Sequence, residues 1–369
     1  MSVPQSEYDV IILGAGAAGL MCAIRAGQRG RQVLVLDHAS QAGPKILISG
    51  GGRCNFTNTE TTPDRFLSDN PHFCRSALSR FTPADFLAMV RRHGIAFHEK
   101  TLGQLFCDGS AREIVAMLLA ECAAVGVDVR VGHRIVDVGR ADRFRVETDR
   151  GAFSAGSLVL ATGGLSIPKM GATGFAHEVA TRFGLRLTAV RPGLVPLTFD
   201  GDLLALMRPL SGVSLPCSAA VGKRVFPEAV LFTHRGLSGP AVLQISSYWR
   251  DGAVTLDLLP GVDAAAFLRE RKRARPKAGL GSVLGEVLPA RLAAALADSV
   301  AERMADVPDR VLAAVAARLS RWAVVPSGTE GYAKAEVTCG GVDTRVLSSR
   351  TMAAEAVPGL FVIGEAVDV

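Results

Sequence analysis

Three glycines and one acid carry the most specific chemistry in this chain. Gly14, Gly16 and Gly19 stand in the spacing G-x-G-x-x-G, with Ala17 and Ala18 before the last, and Asp37 follows eighteen residues after Gly19. These residue types at this spacing bind a dinucleotide. Gly14 makes a tight turn, Gly16 lets a pyrophosphate approach the backbone, Gly19 lets a helix pack close to a strand, and the acid accepts hydrogen bonds from an adenosine ribose. The free N–H groups and positive dipole end of the helix then hold the phosphates. A glycine-rich turn in an ordinary α/β domain explains the glycines but leaves Asp37 without a task.

A second group of polar and cationic residues lies in Gly43-Pro44-Lys45-Ile46-Leu47-Ile48-Ser49-Gly50-Gly51-Gly52-Arg53-Cys54-Asn55. It reads as a loop in which three consecutive glycines let backbone approach a flat or phosphorylated ligand. Lys45 and Arg53 supply cationic donors. Arg53 suits an acidic substrate as well as it suits a salt bridge or a cap. Cys54 is a candidate redox residue, set against the inertness usual for a lone cysteine with no CxxC partner. His234, in another glycine-rich stretch, is a candidate proton donor, set against a loop histidine that bonds only to backbone. No His, Cys and Asp stand at metal-ligand spacing, so no metal is expected.

These residues need a scaffold, and the apolar pattern supplies one. Val10 to Leu13 and Val33 to Leu36 read as strands of a parallel sheet buried on both faces, with a helix between them. Helical periodicity marks Pro83 to His93 and Ser110 to Ala124 within a region, Pro63 to Val125, read as helical throughout. Strands follow at Val127 to Val131 and Ile135 to Val138. A hairpin then turns at Asp149-Arg150-Gly151. The buried run Leu158 to Leu160 ends in Ala161-Thr162-Gly163-Gly164, at the carboxyl edge of the sheet, where dinucleotides lie. A second glycine-rich loop, Gly164 to Gly174, leads into a helix from Phe175 to Phe183. From Val190 prolines punctuate short apolar runs, the texture of a small β-barrel or sandwich. Asp263 to Arg321 is alanine-rich and helical, strands at Trp322 to Val325 and Ala335 to Thr338 carry the chain back, and Pro358 to Glu365 forms one more buried strand.

The 369 residues, 49% hydrophobic and 21% charged, suffice for two or three domains. No apolar run reaches the roughly 18 residues that span a bilayer. The first eight residues lack the basic and apolar regions of a secretory signal. Seven cysteines, an odd number without a CxxC pair, point to a reduced, cytoplasmic compartment. Net charge is +6, and the densest basic run, Arg269 to Lys277 (RERKRARPK), reads as a solvated helix end. No aromatic residues interleave with it, and two Trp and three Tyr in the whole chain leave little for base stacking. Nucleic acid is therefore not expected as a partner.

Several stretches together resemble the HI0933-like/BaiN-like group of bacterial FAD-dependent oxidoreductases, within the two-dinucleotide-binding flavoproteins. They are Gly14 to Gly19, Lys45 to Asn58 (KILISGGGRCNFTN), Ala161 to Gly164, Thr233 to Pro240 (THRGLSGP), Glu336 to Val342 (EVTCGGV) and Pro358 to Glu365 followed by Ala366-Val367-Asp368. The likeness spans nearly the whole chain. It implies an α/β fold: a Rossmann-like FAD-binding domain, a parallel sheet with a β-meander, in segments 1–189 and 331–369, split by a small β-barrel and helical insert at 190–330. It implies FAD, with Gly14, Gly16, Ala17, Ala18 and Gly19 at the pyrophosphate and Asp37 at the adenosine ribose. Lys45, Gly50, Gly51, Gly52, Arg53 and Asn55 would line the path towards the isoalloxazine. Ile135 would offer backbone to the adenine, Ala161, Thr162 and Gly163 would sit over the ribose, and Gly364 with Glu365 would meet the ribityl chain.

Two departures stand out. Relatives carry Gly-Asp-Gly-Tyr where this chain has Gly174-Phe175-Ala176-His177, and they continue past Glu-x-x-Asp-Val into a final helix. The expectation is a missing helix and an open apolar groove through which copies self-associate. The chemistry belongs to the cofactor, so no protein nucleophile is needed. The reading is an oxidoreductase with noncovalent FAD acting on a small organic substrate. With only one complete dinucleotide fingerprint, NAD(P)H would bind transiently as electron donor. A non-catalytic redox sensor or partner-dependent subunit is the alternative. An NAD-dependent dehydrogenase would leave the ISGGGRCN loop and the Gly-Glu tail idle.

Overall fold

An uninterrupted apolar run such as Val10 to Leu13 is stable only when covered on both faces, and the computed structural model places it in the middle of a parallel sheet. The structure describes residues 6–298 and 303–368. The reading of the first eight residues as no signal, part of the alanine-rich helical stretch, and the chain end at 369 thus fall wholly or partly outside the described residues.

Two compact units result, one of Met1–Arg191 with Thr338–Val369, the other of Pro192–Val337. In chain order the first holds β1 (Ser6–Leu13), α1 (Ala17–Gly27), β2 (Val33–Leu36), α2 (Pro44–Ile48), β3 (Asn55–Asn58), α3 (Arg75–Arg80), α4 (Pro83–Arg92), β4 (Phe97–Glu99), β5 (Gln104–Cys107), α5 (Ala111–Ala124), β6 (Asp128–Arg130), β7 (Ile135–Arg140), β8 (Phe144–Thr148), β9 (Gly151–Leu160) and α6 (Phe175–Arg182). The main sheet runs β6-β2-β1-β9-β8-β7. Ile11 of β1 stands opposite Leu34 on one side and Leu158 on the other. All three are fully buried.

β9 does two jobs along one edge. Its first half pairs antiparallel with β8, while its second half pairs in parallel with the Leu360–Val362 strand, Leu158 opposite Leu360 and Leu160 opposite Val362. The end of the chain is thereby brought back to the strand that ends in Ala161-Thr162-Gly163. The returning core strand read from the sequence is this single strand, Gly151–Leu160.

Two local readings need correction. The Pro63–Val125 region is not helical throughout: β4 and β5 join β3 in a three-stranded sheet of order β3-β5-β4. Strands of three and four residues are too short to display a period of two. Nor is Pro44 to Gly52 a loop. Pro44 starts α2 at its first turn and a 3₁₀ turn covers Ser49–Gly52. Proline's fixed φ suits a helix start, and the signal was masked by the glycines that follow. α4 and α5 begin on capping boxes, Thr82 with Asp85 and Ser110 with Glu113, each satisfying two orphan donors.

The second unit is built on the hairpin of Ser214–Val221 and Arg224–Thr233. Its seven-stranded sheet has Trp322–Val324 at one edge and Gly328–Thr329 at the other. Only three residues of chain separate those two edge strands. The helices Pro240–Ser246, Ala264–Ala274, Leu280–Leu284, Ala290–Ala297 and Asp309–Ser320 share a core with the sheet that includes Phe199, Phe232, Leu268, Leu284 and Leu319.

Leu158 is central to the first unit, so Leu158→Ala should cost about 2–5 kcal/mol of unfolding free energy. Val136→Ala, at a position 55% exposed, should stay within about 0.5 kcal/mol. Urea titration of both variants checks this; equal losses would contradict the burial argument.

Candidate functional site

The turn between β1 and α1 is held by backbone packed on backbone. Gly14 has φ +110°, and its amide donates to Leu36 O at 2.8 Å. A Cβ on Gly14 would overlap Ala161 O, and one on Gly19 would overlap Gly14 O. Gly16 is different: it is extended (φ −84°, ψ −172°), and among the described residues nothing lies within 4 Å of where its Cβ would be. Gly14 and Gly19 are therefore required by the fold itself, whereas the space at Gly16 is open to a ligand. No side chain among the described residues caps α1, and its first turn contains no acid. Leu20 is the amide that reaches Gly16 O, at 3.0 Å. The N–H groups of Ala17, Ala18 and Gly19 precede it and stand ready for phosphate oxygens.

Asp37 has a structural task that spacing alone does not reveal. Its Oδ2 accepts from the Ala15 amide at 2.7 Å and its Oδ1 from the Ala39 amide at 2.8 Å, pinning the turn to the end of β2. A carboxylate has about four lone-pair sites, so capacity remains for ribose hydroxyls. Ala161 donates its amide to Leu13 O at 2.9 Å. Thr162 Oγ1 accepts from the Ala176 amide at 3.2 Å, at the start of α6. Ile135 opens β7, half-buried.

Around this turn, four segments distant in sequence join in one polar network. Lys45 Nζ donates to Ser166 Oγ at 2.8 Å and to Glu365 Oε2 at 3.1 Å. Ser166 Oγ donates to Glu365 Oε1 at 2.8 Å, and the Thr338 amide donates to the same oxygen at 2.7 Å. Thr338 Oγ1 in turn accepts from the amides of Leu165 and Ser166. Ser166 is fully buried, while Lys45 and Glu365 are about a third and a quarter exposed. Such an ion pair adds about 0–1 kcal/mol; its value here is position. Gly364, at φ +68°, has its Cβ site 2.7 Å from Ala18 Cβ, and the Cβ site of Gly163 lies 3.6 Å from Glu365 Oε2. Gly163, Glu365, Lys45 and the start of α1 are thus brought together. Sequence reasoning missed Ser166 and Thr338. The available signal was that Ser166 lies in the glycine-rich loop Gly164 to Gly174 and Thr338 in the EVTCGGV stretch of the resemblance.

The other candidates are placed as follows. Gly50, Gly51 and Gly52 form the 3₁₀ turn after α2, and Arg53 and Asn55 are exposed. Cys54 is 5% exposed at φ +51°, and burial pushes its thiol up despite a hydrogen bond with Ser49. That disfavours a thiolate. His234 is exposed in the turn between Arg224–Thr233 and Gly236–Ser238, in the second unit. Among the described residues no group of His, Cys, Asp and Glu is placed to hold a metal, and no helix is long and apolar enough to cross a membrane.

His177, where the chain departs from Gly-Asp-Gly-Tyr, is buried in α6. Its Nε2 has no partner among the described residues. Burial holds its pKa below the ordinary 6.5, opposed by a hydrogen bond with the Ala366 backbone and by Glu365.

Comparison with known proteins gives this geometry a context. The profile of the HI0933-like protein Rossmann domain matches residues 8–369. The Escherichia coli (strain K12) protein named ribosomal RNA dihydrouridine synthase is 49% identical, over 98% of this chain and 92% of its own length. The Haemophilus influenzae protein of the same name is 43% identical over 99% and 93%. A Clostridium scindens protein named 3-dehydro-bile acid delta(4,6)-reductase is 27% identical over 97% and 92%. FAD is the cofactor, and the open position at Gly16, the uncapped amides of α1 and the spare lone pairs of Asp37 fit it. The first two relatives overturn the expectation that nucleic acid is excluded as a partner. That expectation rested on scarce aromatic residues, but stacking is only one way to hold RNA, and phosphate contacts need none.

Two outcomes follow. Gly16→Val should fold with an unchanged apoprotein melting temperature yet purify with at least tenfold less FAD, while Gly19→Ala should lower the melting temperature of the apoprotein itself. Flavin absorbance and thermal unfolding of each variant decide it; full flavin content in Gly16→Val would place the phosphates elsewhere. For His177 the folded pKa lies below the unfolded one, so the unfolded state binds the extra proton as pH falls through about 6.5. Stability should fall from pH 7 towards pH 5, with a shallower slope in His177→Gln. Identical slopes in urea titrations would remove His177 as the cause.

Proposed function

The chain belongs to the HI0933-like family of FAD-dependent oxidoreductases, and on that premise we propose that it reduces a uridine of ribosomal RNA to dihydrouridine with electrons from NAD(P)H. The observation that carries the proposal is 49% identity over 98% of the chain to a protein named for that activity. The reaction balances with two electrons and two protons: a hydride and a proton add across the C5–C6 double bond of the base, and NAD(P)H is oxidised. Bound FAD supplies the two-electron chemistry.

The chain's own residues hold and orient. In this reading the amides of Ala17, Ala18 and Gly19 and the Asp37 carboxylate bind the pyrophosphate and adenosine ribose. The Lys45–Ser166–Glu365 network fixes the Gly163 and Gly364 turns on either side of the cofactor path. Lys45 next to the path is a fixed positive charge that favours added negative charge. A uridine stacked in RNA cannot present its C5–C6 bond, so the target base must leave the stack, at a cost of a few kcal/mol.

A second reading is favoured by the Clostridium scindens relative. Its name and that of the RNA enzymes both describe reduction of a carbon–carbon double bond conjugated with a carbonyl, so a small unsaturated ketone is the competing substrate class. The non-catalytic reading is disfavoured by membership of an oxidoreductase family.

The test incubates FAD-loaded protein and NADH or NADPH with ribosomal RNA from cells lacking the gene, then digests the RNA for mass spectrometry. Dihydrouridine should appear at a discrete site and only with the nicotinamide present. RNA left unchanged, with an unsaturated steroid ketone reduced instead, would overturn the RNA reading in favour of the second.

A further inference from the structure

The helix Ala264–Ala274 presents two unlike faces. Ala264 and Leu268 are buried in the core of the second unit, whereas Arg269 and Arg273, one turn apart, are exposed. With Ala266, Glu270 and Ala274 they line an open groove of about 510 Å³. The stretch 269–277 holds six Lys and Arg residues against the single acid Glu270, a concentration close to the net charge of the entire chain.

Ion pairing divides those six cations. Arg271 binds Glu286 at 2.7 Å and Glu270 at 3.0 Å. Lys272 binds Asp309 at 2.7 Å and Val307 O at 2.7 Å. Arg275 also binds Glu286. These three brace the helix against its own unit. Arg269, Arg273 and Lys277 are exposed and have no acid within ion-pair distance among the described residues. Like charges at i and i+4 cost a few tenths of a kcal/mol; Asp309, already bound to Lys272, attracts Arg269 and Arg273 from beyond ion-pair distance and offsets part of that cost. The flanking Ala266 and Ala274 are small, so a polyanion's backbone can approach both guanidinium groups.

The surface also indicates what kind of partner it fits. Phe267 is half-buried beneath Arg271, whose guanidinium lies 5.3 Å from its ring, so no aromatic is presented for base stacking. An interfacial membrane helix needs a free apolar face, and here that face is buried. Guanidinium groups without aromatic neighbours match phosphates, which position a nucleic acid without reading its sequence.

Resting on the RNA reading above, we propose that the Arg269–Arg273 face is an RNA phosphate-docking surface. It holds the ribosomal RNA by its backbone, and base choice is made elsewhere.

The test compares the FAD-loaded parent with an Arg269→Ala/Arg273→Ala double variant and a charge-reversed Arg269→Glu/Arg273→Glu variant. A fluorescently labelled ribosomal RNA fragment is titrated between 50 and 200 mM salt. Each lost phosphate contact removes about 0.7–0.9 from the slope of log K against log[salt], so the alanine pair should lower its magnitude by about 1.5. The glutamate pair should bind more weakly still. Flavin content, melting temperature and reduction by NADPH should match the parent in both. If all three proteins bind RNA with one slope while the parent makes dihydrouridine, the surface is refuted and the RNA reading stands. If the parent neither binds RNA nor makes dihydrouridine, both fall. Loss of binding to anionic phospholipid vesicles with RNA binding intact would also overturn the proposal, in favour of a membrane surface.

Discussion

The structure depends on a place with no room for a side chain. The turn after β1, the start of α1 and the end of β9 meet backbone to backbone, so that Cβ atoms on Gly14 or Gly19 would overlap Ala161 O and Gly14 O. That approach sets the angle at which α1 leaves the sheet and aims its first amides at one point. It also fixes where β9 ends, and hence where Thr162 and Gly163 lie. Gly16 sits in the same motif with open space around it, so packing constrains the ends of this six-residue pattern and leaves its middle free.

The polar network is a second consequence of the same geometry. Because the Leu360–Val362 strand pairs with the second half of β9, Gly364 and Glu365 emerge beside the α1 N-terminus. Lys45 arrives from α2, whose entry is tied to the motif by the Gly43 amide donating to Ala15 O at 2.9 Å. Ser166 and Thr338 then complete the coordination of Glu365. A carboxylate with this many donors is held in one orientation, which suits a group that positions a cofactor.

The parallel core of the first unit was legible because Val10 to Leu13 and Val33 to Leu36 are apolar runs ending at Gly14 and Asp37, and Leu158 to Leu160 is one ending in Ala161-Thr162-Gly163-Gly164. The dinucleotide motif was legible because its glycines answer steric demands that no other residue meets. The strands Phe97–Glu99 and Gln104–Cys107 were not, since so few residues show no period. Nor was the network: a buried hydroxyl such as Ser166 acquires meaning only from Lys45 and Glu365, 121 and 199 residues away. The basic run at 269–277 was visible as charge, but which cations are neutralised depends on Glu286 and Asp309, placed by other helices. Scarcity of aromatic residues weighed too heavily against RNA, because it bears on stacking and not on phosphate binding.

The account's central claim is that electrons held at the glycine-motif site end on a uridine in RNA. Anaerobic stopped-flow spectroscopy of the photoreduced, FAD-loaded protein tests it most directly. Mixing with a ribosomal RNA fragment containing the target uridine should restore the oxidised flavin spectrum, while the same fragment carrying dihydrouridine should leave it reduced. A flavin that stays reduced with every RNA, but is reoxidised at once by a small conjugated ketone, would contradict the account.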